Sequence, residues 1–293
     1  MNQSVFLHPG VQWRSAVGFV RLLRLSNSLP ASILVLIGAY LAGGWPLPHP
    51  AWQAALAMWC VTAFGYVSND YFDVKEDSVN KPDRPIPAGV IAPSSAAWLA
   101  GGLALCAIAF SLPVGLLPTL VACTVLGLLT LYNLRLKATP GGGNLLIACL
   151  AGCTLLVGSV ATLGMTRYAI VVMLAPASVL STFIAAREIL KALEDMVGDR
   201  MAGKQTIATR LGKRGVLRVI ALLSGLLIGL SLIPFIWLGY SRLYLLVVNL
   251  GVSAPLLFTT FYLWQETSPQ RISHCLALLK GSYFAGLVAL LLA

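Results

Sequence analysis

Nine of the chain's ten acidic residues fall in two short stretches: Asp70, Asp73, Glu76, Asp77 and Asp83, then Glu188, Glu194, Asp195 and Asp199, with Glu266 standing apart. Both stretches lie at the mouths of apolar segments and are interleaved with Lys and Arg. In a chain of mean hydropathy +0.85, a carboxylate near lipid is costly unless a cation or hydrogen bonds neutralise it. Two such groups suggest paired divalent-metal and polyanion sites at a membrane face, the form of a site for a diphosphate.

In the first stretch Asn69, Asp73 and Asp77 are spaced i, i+4, i+8. On a helix they share one face, so their oxygens can converge on Mg²⁺, an ion that takes few protein ligands and completes its shell with water and phosphate. The loop that follows, Asn80-Lys81-Pro82-Asp83-Arg84-Pro85-Ile86-Pro87-Ala88-Gly89, is stiffened by three prolines. Arg84 between them is held for a bidentate phosphate contact. The plain alternative is a solvated helix end with pairs such as Lys75 and Asp77; the coincidence of ligand spacing with a rigid basic loop favours a site. Asp70 and Glu76 fall off the shared face, where a supporting role and a solvated one are equally open.

The second stretch repeats the spacing, with Asp195 and Asp199 four apart and Lys191 and Arg187 one and two turns earlier. Alone it would read as a salt-bridge ladder along a helix; beside the first it reads as the other half of a site. Gly203-Lys204-Gln205-Thr206 and Arg210-Leu211-Gly212 close this loop. Between the stretches, Lys137 in Tyr132-Asn133-Leu134-Arg135-Leu136-Lys137 is either a diphosphate contact or a membrane-face anchor, and Arg24 and Asn27 carry the same ambiguity. Tyr66, Phe72, Tyr132 and Phe183 are near enough in sequence to steady a cation, although packing explains each of them separately.

The elements that position these residues are membrane spans. Of 293 residues, 58% are hydrophobic and 10% charged, which makes the chain an integral, multi-pass membrane protein. Nine apolar runs are expected, near 29–43, 51–69, 92–112, 114–133, 144–164, 168–188, 215–238, 241–263 and 272–292, preceded by an interfacial helix over 16–28. Seventeen of the twenty Lys and Arg, among them Arg14, fall in inward segments if the N-terminus is cytoplasmic; Arg167 and Arg242 fall outward and Lys280 within the last span. The bias predicts that both acidic stretches face the cytoplasm. The net charge of +10 then belongs to one membrane face, where it draws anionic headgroups and phosphorylated substrates. Nucleic acid is not an expected partner, since no soluble basic domain exists to hold it.

The six cysteines lie within apolar runs, and packing accounts for them, including Cys149 and Cys153 four apart. No cleavable signal segment is expected. Outer connections are short and rich in Gly and Pro, whereas the inner ones over 70–91, 134–143 and 187–214 are long and charged. The two acidic loops follow the second and sixth spans, which hints at an internal duplication.

On these motifs the chain resembles the UbiA superfamily of intramembrane prenyltransferases. Asn69-Asp70-x-x-Asp73-x-x-x-Asp77 with its Arg84-Pro85-Ile86-Pro87-x-Gly89 tail is similar to the family's first motif, and Asp195-x-x-x-Asp199 with Gly203 and Thr206 to its second. The resemblance covers essentially the whole chain and implies one all-α domain over residues 1–293, a polytopic protein of nine transmembrane helices around a central cavity. It implies that Asn69, Asp73, Asp77, Asp195 and Asp199 hold Mg²⁺ on a prenyl diphosphate, the four aspartates being the catalytic set. Arg84 and Lys137 would grip the diphosphate, with Lys191 and Arg24 as further cations for it. Glu194-Asp195-x-x-Gly198-Asp199-Arg200 is closer in style to the archaeal-lipid, chlorophyll and homogentisate branches than to the 4-hydroxybenzoate branch. Two departures stand out: Ala192 occupies a position where those branches usually carry Asp, and Leu25 follows Arg24 where Pro is common.

The implied activity is Mg²⁺-dependent transfer of a prenyl group to a lipophilic acceptor, aromatic or hydroxylic, with membrane lipid around the site. A terpene cyclase that ionises the same diphosphate without an external acceptor is the alternative, given Ala192. A divalent-cation transporter is disfavoured, because transporters place their ligands near the midplane on broken helices.

Overall fold

The computed structural model describes residues 9–293 apart from Ala202, without the side chains of residues 9–14 and of Asn80. Residues 1–8, included above in the single domain, and the side chain of Arg14 lie outside the described residues. Among these, every regular element is helical: α1 Pro9–Leu23, α2 Leu25–Gly43, α3 His49–Phe72, α4 Val74–Asn80, α5 Pro93–Ser111, α6 Leu116–Leu134, α7 Gly142–Leu163, α8 Arg167–Glu194, α9 Met196–Met201, α10 Ile207–Trp237, α11 Arg242–Val248, α12 Ala254–Gln265 and α13 Pro269–Leu291. The boundaries follow local chemistry. Thr166, Thr206, Ser241 and Ser268 cap α8, α10, α11 and α13 by accepting the backbone N–H of Ala169, Thr209, Tyr244 and Arg271. Proline opens α5 and α13.

Eight helical stretches are long and apolar enough to cross a membrane. The expected span outside these eight is the second, α3, which is long enough at 24 residues; its apolar text is diluted by Trp52, Gln53, Trp59 and Thr62. It packs between α2 and α5, which leaves Gln53, Trp59 and Thr62 partly buried while Trp52 stays exposed near the helix start. The interfacial helix expected over 16–28 is instead two elements. Arg24, the one non-glycine residue at positive φ among the described residues (46°), breaks the chain between α1 and α2. The seventh expected span agrees with the fold because Gly212 (φ 67°, ψ 177°) interrupts α10 before its membrane-crossing part. A π-helical turn over 249–253 joins α11 to α12.

The acidic loops, the start of α2 and the loop after α6 gather at one end, cross-linked by ion pairs described below. The main core is built where α2, α7, α8, α10 and the last helices meet, around Leu34, Leu155, Met173, Leu190, Leu217, Leu256 and Leu279. Helices α2 and α7 cross closely because of two glycines: a Cβ on Gly158 would run into the Val35 carbonyl oxygen, and one on Gly38 into that of Leu155. Small residues at such crossings are how membrane helices gain contact where lipid offers no hydrophobic drive. Leu105, Leu116, Leu222 and Ile236 stay exposed on the outer wall, as a lipid-facing surface requires, and Trp98 and Trp237 sit exposed near helix ends.

Candidate active site

Both acidic motifs are built the same way. A long helix ends at an aspartate, Asp73 after α3 and Asp195 after α8, and a short helix resumes with the second aspartate four residues on. The i→i+4 backbone bonds continue through each bend, Asp73 N–H to Asn69 C=O, Asp77 to Asp73, Asp195 to Lys191 and Asp199 to Asp195. The aspartates therefore keep the one-turn spacing that the sequence predicts. After each short helix a lysine donates its backbone N–H to the second aspartate's carbonyl, Lys81 to Asp77 and Lys204 to Asp199. Each of these lysines then reaches into the opposite motif. Lys81 Nζ lies 3.4 Å from Asp195 Oδ1, and Lys204 Nζ lies 2.9 Å from Glu76 Oε1.

The other cations of the mouth are held by carboxylates. Lys137 pairs with Asp73. Arg84 pairs with Asp77 and, at 3.2 Å, with Asp70. Arg24 pairs with Asp70, and its guanidinium sits 5.2 Å from the centroid of the Tyr66 ring. Asp70, at 2% exposure, is thus neither solvated nor a ligand candidate: it fixes two arginines from separate segments. Glu76 is likewise not merely solvated, since it docks Lys204. Lys191 was expected on a face with Asp195, but its ion partner is Glu188 at 3.6 Å, and Arg187 shares that carboxylate at 3.2 Å. Asn69 donates to Asn133 Oδ1 (3.2 Å), and Asn133 donates to Ser68 Oγ (3.0 Å), which ties α3 to α6.

Six carboxylates, Asp70, Asp73, Glu76, Asp77, Asp195 and Asp199, thus meet five cations, Arg24, Lys81, Arg84, Lys137 and Lys204, at the mouth. Among the described residues no three carboxylates form a ready-made metal cage; most are neutralised singly by a basic group. Burial, reinforced by the neighbouring Asp195 charge, raises the Asp199 carboxyl above its usual range. Burial lowers the Lys137 ammonium against the opposing pull of Asp73. The hydrogen bond from Lys204 holds Glu76 low; Lys204, although burial opposes it, is raised by Glu76. The donor set is all hard oxygen, sparse and partly strained by like charge, which fits Mg²⁺ bound together with a phosphate ligand.

Beneath the mouth opens a cavity of about 510 Å³ between α2, α3, α6, α7, α8 and α13. Asn69, Tyr66, Tyr132, Arg24, Arg187, Glu188 and Lys191 line its polar end, and Val114, Leu117, Val160 and Met165 its far end. Along α7 the lining runs from Ile147 to Ala161, about 21 Å at 1.5 Å per residue, most of the way across a hydrocarbon layer of about 30 Å. Of the aromatics considered from sequence, Tyr66 and Tyr132 face this space; Phe183 is buried in the core and Phe72 is exposed. Asn27 also lines the cavity. All six thiols are free. Cys149 and Cys153 are exposed rather than packed, and Cys153 borders the cavity.

An apolar, membrane-deep cavity closed by an acid-and-base mouth defines an enzyme that handles a phosphorylated, lipid-soluble substrate. Residues 31–283 match the UbiA prenyltransferase family, and the chain belongs to that family as a membrane-embedded prenyltransferase. It is 39% identical over 240 residues, 80% of this chain and 84% of the relative, to the digeranylgeranylglyceryl phosphate synthase of Halobacterium salinarum. It is similar, with a TM-score of 0.71 at 26% identity over 94% of this chain and 97% of the other, to a solved structure from work on digeranylgeranylglyceryl phosphate synthase in membranes. A UbiA homologue from Archaeoglobus fulgidus bound to GPP and Mg²⁺ shares the fold, with a TM-score of 0.67 at 19% identity over 92% of this chain and 99% of that one.

Proposed function

We propose that this chain, one domain over residues 1–293, is a Mg²⁺-dependent transferase. It moves a geranylgeranyl group from its diphosphate to the free hydroxyl of a glyceryl phosphate that already carries one such group. The meeting of the two acidic motifs across a cationic mouth, directly above a membrane-deep apolar cavity, carries this reading. The identity to a digeranylgeranylglyceryl phosphate synthase supports the choice of donor and acceptor. The excess of Lys and Arg on the mouth side supports a cytoplasmic orientation.

Asn69, Asp73, Asp77, Asp195 and Asp199 would hold Mg²⁺, and the chemistry it would supply is Lewis-acid neutralisation of the departing diphosphate. Arg24, Arg84, Lys137 and Lys191 grip the phosphate oxygens. Lys137 and Arg84, paired here with Asp73 and Asp77, would turn to substrate oxygens, which would leave those carboxylates free to hold Mg²⁺. Four isoprene units, roughly 5 Å each on carbon–carbon bonds of about 1.5 Å, match the cavity's length, and the apolar wall keeps water from the reacting carbon. As the C1–O bond breaks, its electron pair leaves with the diphosphate. The faces of Tyr66 and Tyr132 stabilise the positive C1. The acceptor's hydroxyl oxygen then bonds to C1 and its proton passes to Glu188, the carboxylate of the cavity wall. A base paired with two cations is weak, but a protonated ether is a strong acid and a weak base suffices. Arg187 and Lys191 at Glu188, with Lys280 on the same cavity wall, favour an anionic acceptor over cyclisation, because a hydrocarbon product has no use for them.

Purified enzyme in lipid nanodiscs, given labelled geranylgeranyl diphosphate and geranylgeranylglyceryl phosphate, should form the diether only with Mg²⁺. Transfer that survives chelation, or a cyclic hydrocarbon formed from the diphosphate alone, would overturn the assignment.

A further inference from the structure

A second anion has its own subsite. The mouth has fewer cations than carboxylates, but deeper in the cavity the balance reverses: Arg187, Lys191 and Lys280 line the wall with Glu188 alone against them. Lys280 is the unusual member. It lies eleven residues into α13, about 16 Å along the helix, within a span where a cation is expensive. Among the described residues it makes no ion pair. Side chains tilt toward a helix's N-terminus, and Lys280 leans that way, across to α2, where Nζ meets Ser26 Oγ at 3.2 Å. Ser26 and Asn27 of α2, with Tyr283 of α13, continue the cavity lining beside it, and α2 and α13 touch only lightly.

We infer that this seam binds the phosphate monoester of the acceptor, held by Lys280 and Arg187 with the Ser26 hydroxyl and the Asn27 amide completing the contacts. The inference rests on the function proposed above and deepens it: the mouth takes the diphosphate and the α2–α13 seam takes the second phosphorylated lipid. A phosphate anion matches Lys280, a cation of the cavity wall that no carboxylate among the described residues neutralises, with Arg187 beside it. With its phosphate anchored at the seam, the acceptor can place its hydroxyl against C1 beside Glu188. Lys280 is a positioning residue here, since it touches the phosphate and not the reacting atoms.

The test compares geranylgeranylglyceryl phosphate with the same lipid lacking its phosphate, in wild type, Lys280→Gln and Lys280→Arg, in nanodiscs with phosphatidylglycerol varied from none to half. The wild type should favour the phosphorylated acceptor. Lys280→Gln should cut that preference about tenfold, as loss of a charged hydrogen bond predicts, through the acceptor's KM and not that of the prenyl diphosphate; Lys280→Arg should recover most of it. Equal losses on both acceptors, or a changed diphosphate KM, would overturn the subsite while leaving the proposed function intact. So would competition by phosphatidylglycerol in the wild type that disappears in Lys280→Gln, since the seam would then read any anionic headgroup. Failure of the wild type to use either acceptor would remove the proposed function and the subsite together.

Discussion

Lys81 Nζ of the first acidic loop lies 3.4 Å from Asp195 Oδ1 of the second, and Lys204 returns the contact at 2.9 Å from Glu76 Oε1. Each motif therefore lends its trailing lysine to the other. The exchange brings Asp73 and Asp195, more than a hundred residues apart in sequence, to the same membrane face and the same mouth.

The Glu76–Lys204 pair should behave as a clasp between the two loops. Glu76→Lys and Lys204→Glu should each lower activity, and the double exchange should restore a large part of it; a double variant no better than either single one would argue against the clasp. Because Lys204 holds Glu76 low, the pair's contribution to stability is complete at neutral pH. It is lost as pH falls from the ordinary glutamate range through Glu76's own lower value. Thermal unfolding followed against pH, with Glu76→Gln as reference, reads that loss, and the difference between the two should vanish at the acid end.

Asp70 positions arginines rather than binding metal. Asp70→Asn should release Arg24 and Arg84 and raise the KM for prenyl diphosphate by about tenfold or more, as charged hydrogen bonds of this kind imply, while leaving the Mg²⁺ requirement at saturating substrate unchanged. A shifted Mg²⁺ requirement at unchanged KM would instead make Asp70 a ligand.

Cavity length should set donor length. Val157→Trp, two-thirds of the way along the α7 lining, should weaken use of geranylgeranyl diphosphate and spare geranyl diphosphate, measured as kcat/KM for each. Equal effects on both would show that the chain lies elsewhere.

Gly158→Leu should separate α2 from α7, because its side chain would meet the Val35 backbone. Overpacking of this kind costs about 1–3 kcal/mol or more, so the variant should show a lower Tm in detergent whatever substrate is present. An unchanged Tm would mean that the crossing relaxes freely.

The spans and the two aspartate pairs were legible because their signals are local. Apolar length marks a membrane helix, and a spacing of four puts Asp73 with Asp77 and Asp195 with Asp199 on shared faces. What escaped is tertiary. Asp70 reads as an off-face acid until Arg24, 46 positions earlier, is seen to fold back onto it. The break at Arg24 has no glycine or proline to announce it and exists because Asp70 and Tyr66 hold the arginine in place. Lys191 shares a helical face with Asp195, yet Glu188, three residues before it, takes its charge. Lys280 was visible as a cation inside the last span, but its meaning depends on Ser26, 254 positions away.

On the proposed function, both aspartate motifs and Mg²⁺ hold one diphosphate together. Binding of the unreactive geranylgeranyl S-thiolodiphosphate to wild type, Asp73→Asn, Asp195→Asn and the double variant, with and without Mg²⁺, tests it most directly. Binding should be tight only in wild type with Mg²⁺, fall by about a hundredfold in each single variant, as disturbance of a metal site implies, and fall little further in the double. Binding that ignores Mg²⁺, or that either single variant leaves untouched, would contradict it.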